Sequence, residues 1–599
     1  MKLLNPLGTT NRLPMSSKAM TQDEKNISVG EASFLERRGK KIAWAVLGAL
    51  FLLVSLLIIV LETKPDPLGL NIGYIGFASY RITMDRAHDI LFFACFLACA
   101  ASAVYFLPLL SRQKPVLLFS IQAAALAGLM LFSGFTYFYI FRGVCQRDFL
   151  KNWDLYHYFL GPKYFNELGY TGIYGTSLAA TQEMGLRLPG GYATDLDNYS
   201  VATVEEAMQR FNFKNNFTPE RWDQFKQELH FFYSTHGRRV FGRMCNDHGY
   251  NGSPGHTVFA QFWANLIPVN YRNMTLVSLI DIALLFAAFA LVCHSFGWRL
   301  GALFFIFYCV NFTNRYDPVG GSFMRYAWIA ALVAGVCMLK LKKPSLGGAL
   351  IGLSAMLNIF PVVFAGGIGV KMIFQFLKEK RFAREHLRFV GGFLAACALV
   401  FLLTLTLRGG HGLKTWRDFL HKMSIHSSRL TQDRIGFPYL FVYHGEITPE
   451  DSQVSYRQKQ RELDAMKPFF WAIVGGVLVL TALAASKLDD ATASVLVGVM
   501  TIFLIFSLVR YYYAVAALLM LLWHGQLKKR GGFIGVVLLF LMMAIAFYAW
   551  QKTGYRKFVH NTVMSFSLAV CLAYTLGYFA YTQKLFHPLI QKWRGKYLK

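Results

Sequence analysis

The chain has 599 residues, 55% of them hydrophobic and only 16% charged, and its 61 Lys and Arg against 33 Asp and Glu give a formal net charge of +28. A soluble domain carries about 25% charged residues, and the repeated apolar runs here match a ~30 Å hydrocarbon layer, which excludes a soluble enzyme and a secreted disulfide scaffold. So basic a chain would otherwise raise nucleic acid as a partner; where its cations fall argues against that.

Residues 1–41 read as a polar, disordered cytoplasmic tail. No small-residue cleavage site follows the first apolar run, which is therefore expected to be a start-transfer anchor. Fourteen membrane helices are predicted, at 42–61, 90–110, 116–141, 274–296, 300–313, 323–339, 346–358, 359–377, 389–407, 468–486, 490–509, 511–524, 533–550 and 560–582. Alternation from a cytoplasmic N-terminus places Lys40 and Lys41, Arg112 and Lys114, Lys340 to Lys343, the Lys378 to Arg388 stretch and Lys528 to Arg530 inside. The short outer segments are left with scattered cations such as Lys64, Arg81, Arg315 and Arg325. This is the positive-inside bias; it puts both termini in the cytoplasm and accounts for most of the net charge without nucleic acid.

The predicted fold class is thus an all-α polytopic membrane protein with a mainly helical outer-face loop domain. Two accessory spans (42–115) precede a membrane core (116–407) that includes the long outer segment 142–273. A second outer segment (408–467), basic in its first half, leads to the C-terminal spans and a basic cytoplasmic tail (468–599). Residues 253–270 are too short and aromatic to span and are expected to lie as an interfacial helix. No internal repeat is visible. Seven of the nine cysteines lie in or beside apolar runs; Cys145 and Cys245, one near each end of the first outer segment, are either a disulfide closing it or two thiols.

Four stretches carry candidate chemistry. In 151–174, immediately outside the third span, a helix would place Asp154, His157, Gly161 and Tyr164 on one face. A carboxylate at an apolar boundary can act as a general base, since partial desolvation raises its pKa; the plainer reading is an amphipathic interfacial helix. In 314–326, Arg315, Asp317 and Arg325 are ionisable groups at the membrane edge, where such groups face a cavity or one another. Asn358 and Pro361 interrupt an apolar run, which membrane depth tolerates against protein or a water-filled cavity. Between Arg408 and Arg434 six cations, with Lys414 among them, face two acids on the outer side. That patch runs against topology bias, and phosphate recognition would require it; a helix lying on anionic head groups is the alternative. No P-loop, Rossmann fingerprint, HExxH or GxSxG occurs, so nucleotide-driven transport is not expected.

A cytosolic-start helix leading into an outer loop that begins NWDLYHYFLGPKYF, with a carboxylate at Asp154, resembles the type C (GT-C) glycosyltransferases. The turn at Asp317 and the Gly-rich helix GALIGLSAMLNIFP resemble further family features, although Lys or Arg is commoner where Asn358 stands. The resemblance covers roughly 116–440 and implies a GT-C-like helix bundle. It also implies inverting transfer of a sugar from a polyprenyl-phosphate donor to a lipid, glycan or protein acceptor at the outer face of a bacterial inner membrane. Asp154 would serve as catalytic base, with His157 and Asp317 as catalytic partners. Tyr164, Arg315, Arg325, Asn358, Arg408, Lys414 and Arg434 would bind substrate. Some members need a divalent metal and others do not, so no cofactor is assigned. Two alternatives stay open: a lipid or polysaccharide transporter, and an oligosaccharide ligase or polymerase that uses a lipid-diphosphate donor.

Overall fold

The computed structural model describes residues 22–62, 82–103, 115–146, 148–427, 430–431, 433–444, 452–552 and 557–585. The first 21 residues of the expected tail, Lys64, Arg81, Arg112, Lys114, Arg429 and the terminal cations beyond Lys584 lie outside them. The protein is an α-helical membrane protein. Among the described residues, eight helices are long and apolar enough to cross a membrane. They run Ser33–Val60 (the apolar part of α1, Gln22–Leu57, and the π turn that follows), Val116–Val144 (α3, Pro115–Phe135, and its π-helical end), Tyr271–Phe296 (α8) and Phe360–Glu379 (a 3₁₀ turn leading into α12, Gly366–Glu379). The others are Arg384–Thr404 (α13), Lys467–Ala485 (α15), Arg530–Lys552 (α17) and Val559–Thr582 (most of α18, Lys557–Thr582). α2, Met84–Ala103, occupies the position of the second expected span.

The other expected spans form helices of 13 to 16 residues: Trp298–Val310 (α9), Ala327–Lys340 (α10), Pro344–Leu357 (α11), Asp490–Ile505 (α16), and Arg510–Trp523. An α-helix of 14 residues is only ~21 Å long. Burial explains how such short helices are accommodated: α9, α10 and α16 are enclosed almost completely by neighbouring helices, so they have no lipid thickness to match. Arg510–Trp523 is wound as a 3₁₀ helix over all 14 residues, with Tyr513 through Trp523 buried. At ~2.0 Å per residue it extends ~28 Å, far enough to traverse the bundle. Asn311 Nδ2 donates to Tyr513 O near its start (3.2 Å).

The Gly-rich α11 is packed for close approach. A Cβ on Gly348 would lie 2.1 Å from Phe389 O, and one on Gly392 of α13 would lie 2.0 Å from Ser345 O. Small residues that let helix backbones touch are a common device in membrane bundles.

Between α3 and α8 the segment expected on the outer face folds as a domain. It holds α4 (Ile173–Glu183), α5 (Val204–Phe211) and α6 (Pro219–Met244), an antiparallel β1–β2 pair (Tyr192–Thr194 with Val201–Thr203), and α7 (Pro254–Leu266). Tyr156, Tyr164, Phe225 and Phe232 centre its own core. α7 turns Phe262, Trp263 and Leu266 outward, as an interfacial helix requires. A second antiparallel pair, β3 (Arg434–Ile435) with β4 (Leu508–Val509), ties the second outer segment to the head of the 3₁₀ rod. Two short ladders thus amend the all-α expectation. Cys145 and Cys245 are not bridged to each other, and they belong to different cores, Cys145 to the membrane bundle and Cys245 to the outer domain.

Candidate functional site

The site is built where the first residues of the outer domain meet the loop 311–326. Arg142, buried at the end of the third span, donates from Nε to Phe149 O (3.1 Å) and from Nη2 to Leu150 O (2.9 Å), which fixes the chain as it leaves the membrane. Lys151 N then donates to Gly321 O at 2.8 Å. Gly321 has φ +75°, and a Cβ there would stand 2.0 Å from Phe149 O, so only glycine permits this contact. On the far side of the loop, Asp281 of α8 accepts from Arg325 N (2.9 Å) and Tyr326 N (3.1 Å), satisfying the amides that begin α10.

These contacts bring two of the sequence-predicted residues together. Arg325 Nε lies 3.0 Å from Asp154 Oδ2, and both side chains are nearly buried. The Arg325 guanidinium stacks 3.5 Å above the Tyr158 ring and 5.7 Å from that of Tyr511. Burial opposes its charge, but Asp154 and the tyrosines outweigh burial and hold its pKa well above the usual value. The helix after Asp154 widens into a π turn at Tyr156–Leu160, which breaks the 3.6-residue register. The expected shared face is therefore lost. His157 is enclosed, with Nδ1 donating to Trp153 O (3.0 Å) and Nε2 accepting from Tyr174 OH (2.9 Å), and burial lowers its pKa. Tyr164 is a core residue whose hydroxyl donates to Glu228 (3.0 Å) beneath the Arg221 guanidinium.

Arg325 lines a cavity of about 660 Å³. Asn358, extended at the end of α11, and Arg434, held by the β3–β4 pair with Nη1 donating to Ser507 O (3.3 Å), line it as well. Its aromatic walls include Tyr158, Trp328, Tyr511 and Tyr512, and α14 (Gly412–Ser427) closes one side with Phe419 and Met423. Next to it lies an apolar groove of about 640 Å³ between α7, α8, α10 and α11, lined by residues such as Ala287, Ala331 and Leu350. Met324 and Leu357 belong to both.

The remaining predicted residues do not line this cavity, and Asp154 itself stands behind its wall, in contact with Arg325. Arg315 pairs with Asp317 (3.1 Å) and donates to His88 Nε2 (2.6 Å), over the rings of Phe312 and Trp550. Arg408 pairs with Asp418 at 3.1 Å, and Lys414 is exposed. Among the described residues no group of three His, Cys, Asp or Glu is arranged to hold a metal ion.

Sequence reasoning missed Asp281 and His256, and counted Lys422 only as one of the six cations between Arg408 and Arg434. Asp281 is the lone acid within its apolar run, a signal that was there to read. His256 lines the cavity, with Nδ1 2.8 Å from Tyr250 OH, and burial and Arg325 lower its pKa to about 3, so it is neutral. Lys422 is buried on α14 and donates to Tyr250 O (3.0 Å) and Tyr170 O (3.3 Å), with its pKa pushed down by burial to about 7. Neither residue stands out from its neighbours in the sequence. No protein-family model matches the chain, and no curated protein does.

Proposed function

We propose that the protein transfers a sugar from a polyprenyl-phosphate donor to a hydroxyl acceptor, with inversion, in the cavity beside Asp154. The observation that carries this reading is the junction of two unlike spaces. A cavity lined by Arg325, Arg434 and Asn358 lies beside a groove lined wholly by apolar side chains, and Met324 and Leu357 line both. A molecule with a phosphorylated sugar at one end and an isoprenoid chain at the other fits that pairing. In this reading Arg325 and Arg434 hold the phosphate, since guanidinium N–H groups match its oxygens in geometry and charge. Asp154 accepts the proton of the acceptor hydroxyl while that oxygen attacks the anomeric carbon. The carbon–oxygen bond to phosphate breaks, and its electron pair leaves on the phosphate. Arg325, ion-paired with Asp154, is the group through which donor binding would be felt at the base.

The test is transfer from a radiolabelled polyprenyl-phosphate sugar by protein in vesicles. Asp154→Asn is expected to insert normally and lose transfer; wild-type transfer in that variant would overturn the base assignment. Movement of labelled lipid across the bilayer without a new glycosidic bond would favour transport instead.

A further inference from the structure

At the opposite end of the bundle lies a second cavity, of about 430 Å³. α9 and the 3₁₀ rod both run from the level of the candidate site to this end, and α8 finishes here at Phe296. Its polar lining comes from Glu36 and Lys40 of α1, Ser295 of α8, Arg299 at the start of α9, and His524 and Lys528 just after the rod. Among the described residues the lining thus carries three cations and one acid. Lys40 Nζ donates to His294 O at 3.2 Å, a neutral partner, and Arg299 Nε donates to Gln122 Oε1 at 3.0 Å. Glu36 is turned to the first amide of α9, with Trp298 N 3.3 Å from Oε1. Lys340 adds a fourth cation close by, 5.7 Å from the Phe296 ring that lines the cavity.

We infer that this cavity binds a phosphate group, and that the phosphate is that of an anionic lipid head group. The charge balance asks for an anion, and the N–H groups of lysine and arginine are its natural donors. Position favours a lipid. The apolar run of α1 starts after Lys41 and that of α8 ends at Phe296, so the cavity stands at the level where hydrocarbon gives way to head groups. Leu300 and Leu527 supply apolar wall for the glycerol and first methylenes. Basic pockets between membrane helices are known to take head groups in this way. Topology bias places cations at such an end, but it does not require a concave space among them. The site is independent of the transfer reaction.

The experiment is a thermal-shift titration of the full chain in detergent with phosphatidylglycerol mixed micelles, phosphatidylcholine mixed micelles and inorganic phosphate. Phosphatidylglycerol is expected to raise Tm and the other two to leave it unchanged. Lys40→Gln with Lys528→Gln should weaken phosphatidylglycerol binding roughly tenfold or more, and Lys40→Arg with Lys528→Arg should retain it. An equal shift with inorganic phosphate would assign the site to a soluble phosphate ester. Equal shifts with the two lipids, or an undiminished shift in the Gln double variant, would overturn the inference. Should the Gln pair fail to fold, Lys528→Gln alone, at an exposed position, gives the same comparison.

Discussion

The loop 311–326 carries two arginine–carboxylate pairs of nearly equal geometry, Arg325 with Asp154 at 3.0 Å and Arg315 with Asp317 at 3.1 Å. Both are almost withdrawn from water. Their surroundings differ. Arg325 faces a cavity across the Tyr158 ring, and the acidic and phenolic groups around it raise its pKa well above the usual value despite burial. Arg315 is walled in by Phe312, Trp550 and His88, and burial lowers its pKa to about 10, with Asp317 opposing and Arg510 adding to the fall. The pair distance is therefore uninformative about function; in the proposed reading, what separates a working pair from a structural one is that one member faces a cavity.

Variants at the two pairs test that distinction. Asp154→Asn should lower transfer by ~10²–10⁴-fold, the usual contribution of a general base, with the fold intact by circular dichroism. Arg315→Met should act the other way. Removing one partner of a buried pair costs ~3–5 kcal/mol, so thermal stability should fall sharply while transfer per folded molecule is preserved; lost transfer at full stability would break the comparison. A smaller effect is expected at the cavity wall. Arg434→Gln should raise KM for donor about tenfold, the loss of one charge-assisted hydrogen bond, whereas Arg408→Gln, on a residue already paired with Asp418, should leave KM unchanged.

The smallest effect sharpens the comparison with a buried cation that has no carboxylate within bonding distance. Lys422 has its pKa lowered by burial from 10.5 to about 7. Between those values the unfolded chain binds a proton that the native state does not, so stability should rise with pH through that window, by at most ~1.4 kcal/mol per pH unit. Below about pH 7 both states are protonated and the dependence stops. Lys422→Met should remove the slope, which denaturation at stepped pH would read as a difference between the two proteins.

Much of the membrane architecture was legible because apolar runs and the breaks between them are dictated by the solvent. The interruption at Asn358 and Pro361 is one such break, and the chain there lines the cavity. Asp154 and Arg325 were legible as ionisable groups at the membrane edge, Asn358 as a break in an apolar run, and Arg434 only as one cation of a basic patch. Which partner each would meet was not, since Arg325 and Asp154 are brought together by a contact between Gly321, in the loop that carries Arg325, and the chain just before Asp154. Helical spacing put His157 and Tyr164 beside Asp154, and a π turn that no residue pattern announces moved them into the domain core. Arg408 and Lys414 entered by counting charge, which cannot distinguish a cation already paired from one facing a ligand.

The 3₁₀ rod has a consequence for how this chain can vary. With three residues per turn, Tyr511, Ala514, Ala517, Met520 and Trp523 lie along one straight edge. Its head supplies Tyr511 and Tyr512 to the cavity lined by Arg325, and His524 just past its foot lines the one at the opposite end. Adding or deleting one residue between them would turn one end by ~120° against the other and shift it by ~2 Å. Burial on all sides leaves no loop in which to absorb the change. Relatives of this protein should therefore differ in the rod by substitution while keeping its length, and insertions should collect in the outer segments.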